Sequence, residues 1–267
     1  MLVVLTVILT ALSGCYRTLP GSQDLPPTIG ACYDLVFGPE IDSVSNSNPA
    51  VSCDDSHTVQ TFFVASVTGQ YASWSTRPIP EILWSLQYDL CPVDNLRHFL
   101  GAGERDSVSQ VAIKAYFPTA SAWQSGARSV SCVVSVNGPS GMLPVNRDLR
   151  NVMYSADSAD LRTCYVQSPA PTGGWSLTGR EVTCAAAHSS QDINAWLQVD
   201  RANPAPGLVQ TMCAPYAEQF IGPDWASSGL TATGVVVPQS NGSFSLHCAV
   251  GGDPVNGYTS TVLLAHR

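Results

Sequence analysis

Gly30-Ala31-Cys32-Tyr33 and Val51-Ser52-Cys53-Asp54-Asp55-Ser56-His57 open a pattern that returns as Cys164-Tyr165 and Cys184-Ala185-Ala186-Ala187-His188. The agreement runs past these residues. Cys91 is followed by Phe99-Leu100-Gly101, and Cys213 by Phe220-Ile221-Gly222. A strand-like run then ends at Pro118 in one copy and Pro238 in the other. From that proline a turn leads to Val130-Ser131-Cys132 or Leu246-His247-Cys248. Four cysteines thus recur in each half of the chain, and the ninth, Cys15, stands outside the repeat.

Cys15 is explained by its neighbours. Met1 to Leu12 is an apolar run, too short for the roughly 20 residues of a spanning helix but suited to a signal-peptide core. Leu12-Ser13-Gly14-Cys15 then has the form of a bacterial lipobox, in which the cysteine thiol carries lipid. No Lys or Arg precedes the run, which a start placed too far downstream would explain. The expectation is a lipoprotein anchored through Cys15; the alternative is an ordinary cleaved signal peptide. Acyl chains hold a protein on a membrane at about 0.8 kcal/mol per buried methylene. The remaining eight cysteines, an even set outside the cytoplasm, then read as a disulfide framework rather than as metal ligands.

Net charge is -8 and Lys114 is the single lysine. Phosphate neutralisation requires clustered Lys and Arg, so nucleic acid is excluded as a partner. No polybasic patch is present to hold anionic lipid, which leaves the lipid anchor as the membrane attachment. A charged fraction of 12% with abundant Ser, Thr, Gly and Pro suits a secreted β-rich domain.

Residues 1–14 are read as the signal peptide and 15–30 as the lipidated cysteine with a flexible Pro-, Gly- and Ser-containing tether. Two four-cysteine domains follow, 31–145 and 146–267. In the first, Ala31–Val36, Thr58–Val67, Ser109–Phe117 and Arg128–Val136 read as strands. Pro80 to Leu90 has helical spacing with Pro80 at its first turn, and after Pro92 a second helical run reaches Leu100, with Gly101 as C-cap. A short helical candidate lies near Arg147 to Tyr154. In the second, Leu208 to Ile221 takes the helix position, and Thr231–Val237 and Ser243–Val250 the last two strands. The expected fold is α+β: two related disulfide-stapled domains, each of antiparallel strands with one helical segment.

Four cysteines allow three pairings. The element order suggests Cys32–Cys53, closing the first loop, and Cys91–Cys132, tying helix to sheet. By repetition Cys164–Cys184 and Cys213–Cys248 follow.

Candidate chemistry is sparse. Cys53/His57 and Cys184/His188 share Cys-x-x-x-His spacing, but no helical period puts each pair on one face, and no further ligands accompany them. Each histidine is expected to bond backbone in a loop pinned by its cysteine; a metal or hydrolytic role is the alternative. An even cysteine count leaves no thiolate nucleophile, and no Gly-x-Ser-x-Gly elbow or phosphate loop occurs. No metal, cofactor or catalytic residue is assigned. Asp54/Asp55 before His57 have alanines in their place in the second copy. Trp123 and Arg128, absent from the second copy, lie in a loop where Trp123 either anchors a ligand or packs on the core.

The residues 30–34, 51–57, Pro118 to Trp123 and Gly126-Ala127-Arg128-Ser129-Val130-Ser131-Cys132 together resemble the septum-formation domain family. The resemblance is clear over about residues 30–136 and fainter over 160–250. It implies an exported or membrane-anchored envelope protein of a high-GC Gram-positive bacterium, and it carries over no catalytic residues. The expected function is a non-enzymatic cell-envelope lipoprotein on the extracytoplasmic face of the membrane. It would bind an envelope protein or cell-wall polymer, with Trp123, Arg128, His57 and His188 as candidate contacts. The alternative is a periplasmic-type metal-binding protein or hydrolase using the two histidine loops.

Overall fold

The computed structural model describes residues 26–138, 141–170, 175–252 and 263–264. The expected signal peptide, Cys15 and most of the tether lie outside these residues. What is described is α+β, mostly antiparallel strands with a few helices and four disulfides.

The first sheet is built from β1 (Cys32–Tyr33), β2 (Val59–Ser66), β3 (Val111–Tyr116), β4 (Ser129–Gly138) and β5 (Gly141–Leu143). Its order is β1-β2-β4-β3, with β5 returning on β4, and every pair is antiparallel. Alternation places Val130, Cys132, Val134 and Val136 of β4 in one cluster with Phe62. Those valines favour the pleat because branched side chains pack well on it. Four short helices lie on this half: α1 (Gly69–Ala72), α2 (Pro80–Leu90), α3 (Val93–Leu100) and α4 (Ala120–Gln124). The helical segment expected here, interrupted at Pro92, is α2 and α3, and α1 and α4 are additional to it. Pro92 separates α2 from α3, and α4 forms because the Thr119 hydroxyl accepts from the Ala122 N–H at 3.1 Å. Helix α3 ends on Gly101 at φ 71°, where a Cβ would come within 2.6 Å of the Tyr154 ring. Only glycine meets both conditions.

The second sheet holds β6 (Thr163–Pro169), β7 (Trp175–Thr183), β8 (Ser190–Val199), β9 (Thr231–Pro238) and β10 (Phe244–Gly251), in the order β7-β6-β8-β10-β9. Removing β7 leaves β6-β8-β10-β9, the same order as β1-β2-β4-β3. One helix, α5 (Pro206–Ile221), packs on it through Val209, Cys213, Ala217 and Phe220. Among the described residues no helix is long and apolar enough to cross a membrane.

The segment after residue 145 belongs spatially with the first sheet. Val145 pairs with His57, and Leu149, Val152, Met153 and Leu161 join the first apolar cluster. Its helical candidate takes the form of 3-10 turns at Val152–Tyr154 and Ala156–Ser158. The two halves meet at a buried ion pair between Arg162 and Asp106, both fully enclosed. Arg162 also donates to Ser158 Oγ at 2.7 Å and to the Met153 carbonyl at 2.9 Å.

Candidate functional site

The bridges are Cys32–Cys53, Cys91–Cys132, Cys164–Cys184 and Cys213–Cys248. In each half one bridge closes the loop ahead of a histidine and the other joins the sheet to a helix end or helix. Both histidines are fully buried. His57 Nδ1 lies 2.9 Å from the Asp55 carbonyl and His188 Nδ1 2.8 Å from that of Ala186. A carbonyl only accepts, so Nδ1 carries the proton, and Nε2 is enclosed without a partner among the described residues. The two rings belong to loops of different sheets. No group of three His, Cys, Asp or Glu that could hold a metal occurs among the described residues.

Three residues beyond each histidine stands a glutamine that sequence reasoning missed. Gln60 accepts from the Leu149 N–H and donates to Asp148, at 2.8 and 2.7 Å. Gln191 accepts from the Leu263 N–H and donates to its carbonyl, both at 2.8 Å. Gln60 thus clamps the segment that leaves the first sheet, and Gln191 holds the backbone at Leu263. The signal was present in the repeat as Cys-x-x-x-His-x-x-Gln.

Trp123 is fully buried in the first core. Its indole N–H donates to the Trp74 carbonyl at 2.9 Å. Arg128 stacks over the Trp123 ring at 4.1 Å and donates to the carbonyls of Ala72, Trp123, Ala127 and Trp74. The Trp123 ring is enclosed, and the half-buried Arg128 guanidinium is turned to these carbonyls. Together they fix the loop after α1, on which Trp74 is 43% exposed and packs edge-on against Tyr71 at 5.2 Å.

A second aromatic surface adjoins it in sequence. Trp84 and Tyr88, one turn apart on α2, are 42% and 80% exposed. They line an open groove of about 650 Å³ with Asp42, Ser85 and Lys114. The Lys114 ammonium sits 5.7 Å from the Trp84 ring centroid. Burial pushes its pKa down, and Asp42 partly offsets this.

The second half places a carboxyl and an imidazole, Asp192 and His247, where the first has the hydroxyls of Thr61 and Ser131. Tyr165 donates to buried Asp192 at 2.8 Å and lies 3.4 Å from His247 Nδ1. His247 stacks on Trp196 at 5.0 Å. Burial raises both the Tyr165 hydroxyl and the Asp192 carboxyl pKa. The Asn194 N–H, Tyr165, His247 and Ser107 pull Asp192 the other way.

Four disulfides fit an oxidising compartment and place the protein outside the cytoplasm. No curated protein and no solved structure matches the chain. The septum-formation family matches residues 29–208, more than half of the 267 residues, taking in the first sheet and β6 to β8 of the second. The chain therefore belongs to the septum-formation family.

Proposed function

We propose that this protein is a non-enzymatic binding or scaffold lipoprotein of the septum or cell wall. In this reading two copies of one four-cysteine domain are held on the extracytoplasmic face of the membrane by lipid on Cys15. The first copy engages an envelope protein or cell-wall polymer through its aromatic surface. Recurrence of the β1-β2-β4-β3 order as β6-β8-β10-β9 supports the duplication. The observation that carries the binding reading is the uneven display of aromatics. Phe37, Trp74, Trp84 and Tyr88 are exposed in the first half, and Tyr154 in the segment that packs with it, against Trp196 on the second sheet among the described residues. Exposed aromatics on a fixed frame are the usual anchors of interfaces. Burial of His57 and His188, each bonded to a carbonyl, supports a structural role for them over a catalytic one.

The test is co-sedimentation of the Cys15→Ser chain, which carries no lipid to hold it on a bilayer, with native envelope membranes and with isolated cell wall. Trp84→Ala/Tyr88→Ala is expected to lower retention at least tenfold while leaving the melting temperature within a few degrees. Unchanged retention would remove the reading.

A further inference from the structure

Arg150 differs from nearly every other arginine. Arg77, Arg97 and Arg128 donate to carbonyls. Arg105, Arg147, Arg162 and Arg201 pair with carboxylates. Among the described arginines only Arg150 and Arg180 have neither an ion pair nor a side-chain hydrogen bond. The Arg150 guanidinium lies 5.6 Å from the Phe99 ring centroid. Arg150 is exposed at the rim of an open cleft of about 460 Å³, lined on one side by Ile29, Phe62, Phe63 and Phe99 and on the other by the polar Asn95, His98 and Asn151. That volume falls within the roughly 300–1,000 Å³ of small-molecule sites.

We infer that this cleft binds a fatty-acid-like monocarboxylate, its apolar body on the phenylalanines and its carboxylate on Arg150. A planar guanidinium donates to both oxygens of a carboxylate at once. One unpaired cation balances one negative charge, which favours a carboxylate over a phosphate monoester carrying close to two.

The site is built in advance. Gly30 has φ 90°, and a Cβ there would stand 2.5 Å from the Arg150 guanidinium, so the glycine leaves the room this side chain occupies. Fully buried Gln60 bonds the Gly30 carbonyl at 3.2 Å and holds Asp148 and Leu149. The Asn151 N–H donates to the Phe99 carbonyl at 2.9 Å. Both chain segments flanking Arg150 are thereby fixed, which lowers the ordering cost of binding. The nearest carboxylate in sequence, Asp148, is turned to Gln60 and to the Arg150 backbone N–H at 2.8 Å. The cleft shares no lining residue with the α2 groove, so this inference stands or falls separately from the binding reading above.

Calorimetric titration of the full chain with decanoate and with decanol tests it. Decanoate is expected to fill one saturable site, with decanol at least tenfold weaker. Arg150→Gln should weaken decanoate at least tenfold and leave decanol unchanged, while Arg180→Gln changes neither. Raising salt to about 1 M should weaken decanoate and spare decanol, a readout that needs no variant to fold. Equal affinity for the two probes, no saturable decanoate binding, or full decanoate affinity in Arg150→Gln would overturn the inference.

Discussion

Tyr33, Thr61 and Ser131 in the first half stand where Tyr165, Asp192 and His247 stand in the second. The tyrosines follow the opening cysteine, Thr61 and Asp192 lie four residues past the histidine, and Ser131 and His247 directly precede the last cysteine. In the first half the group is neutral, with the Thr61 and Ser131 hydroxyls 3.0 Å apart. In the second it is a buried acid bonded to a tyrosine and flanked by a histidine. One frame thus tolerates both a hydroxyl network and an ionisable one. The shared parts (bridges, buried histidine, glutamine clamp, strand order) hold the fold, and the unshared parts are where the halves differ in behaviour.

The largest expected effect lies at the seam between them. Asp106→Ala leaves Arg162 buried without its counter-charge and should cost about 3–5 kcal/mol in urea unfolding. Replacing both partners with apolar residues of similar size should recover most of it. If the single variant unfolds like wild type, the seam is not a structural joint.

The bridges test whether equivalent staples are equivalent in energy. Removing Cys91–Cys132 or Cys213–Cys248 should each cost about 2–4 kcal/mol. Their spans of 41 and 35 residues predict nearly the same loop-closure term for the two. A difference well above about 1 kcal/mol would show that packing around the bridges, not chain closure, dominates.

Arg128→Ala sharpens the contrast in surface. Phe244 occupies the corresponding place in the second half, so the carbonyl clamp exists once. The loss should be about 1–2 kcal/mol, and hydrogen exchange should quicken around Ala72 to Trp74 with α5 unaffected.

The smallest effect is a pH slope. The folded Asp192 pKa is raised by burial above its unfolded value of about 3.9. Its contribution to stability is therefore full below the unfolded pKa and lost as pH rises through the folded one. Asp192→Asn should flatten the stability curve above about pH 4, whereas Thr61→Val should leave its slope alone. Denaturation at successive pH values reads this directly, and identical slopes for wild type and Asp192→Asn would refute it.

Much of the frame was legible in the sequence because it repeats. Cysteine spacing, Pro80 at a helix start, Gly101 at a helix end and valine-rich strands are local signals. What escaped is non-local or weakly patterned. Strand β7 carries Gly179, Arg180 and Glu181 mid-run, so no apolar period announces it; its pairing with β6 decides it. Helix α4 is five residues long and depends on the Thr119 cap. Strand β1 shrinks to two residues because the Leu35 N–H turns to the Thr58 hydroxyl at 2.7 Å. The Arg162–Asp106 pair joins residues 56 apart and leaves no trace in either neighbourhood. At the candidate surface the sequence singled out Trp123 and Arg128, which support the exposed Trp74 from behind rather than facing outward.

The central claim is that the first half carries the binding surface. It is tested most directly by comparing Trp84→Ala/Tyr88→Ala with Trp196→Ala, each in the unlipidated Cys15→Ser chain, in retention on native envelope. The account predicts at least a tenfold loss for the first and none for the second, although Trp196 is 64% exposed. Equal losses, or a loss confined to Trp196→Ala, would contradict it.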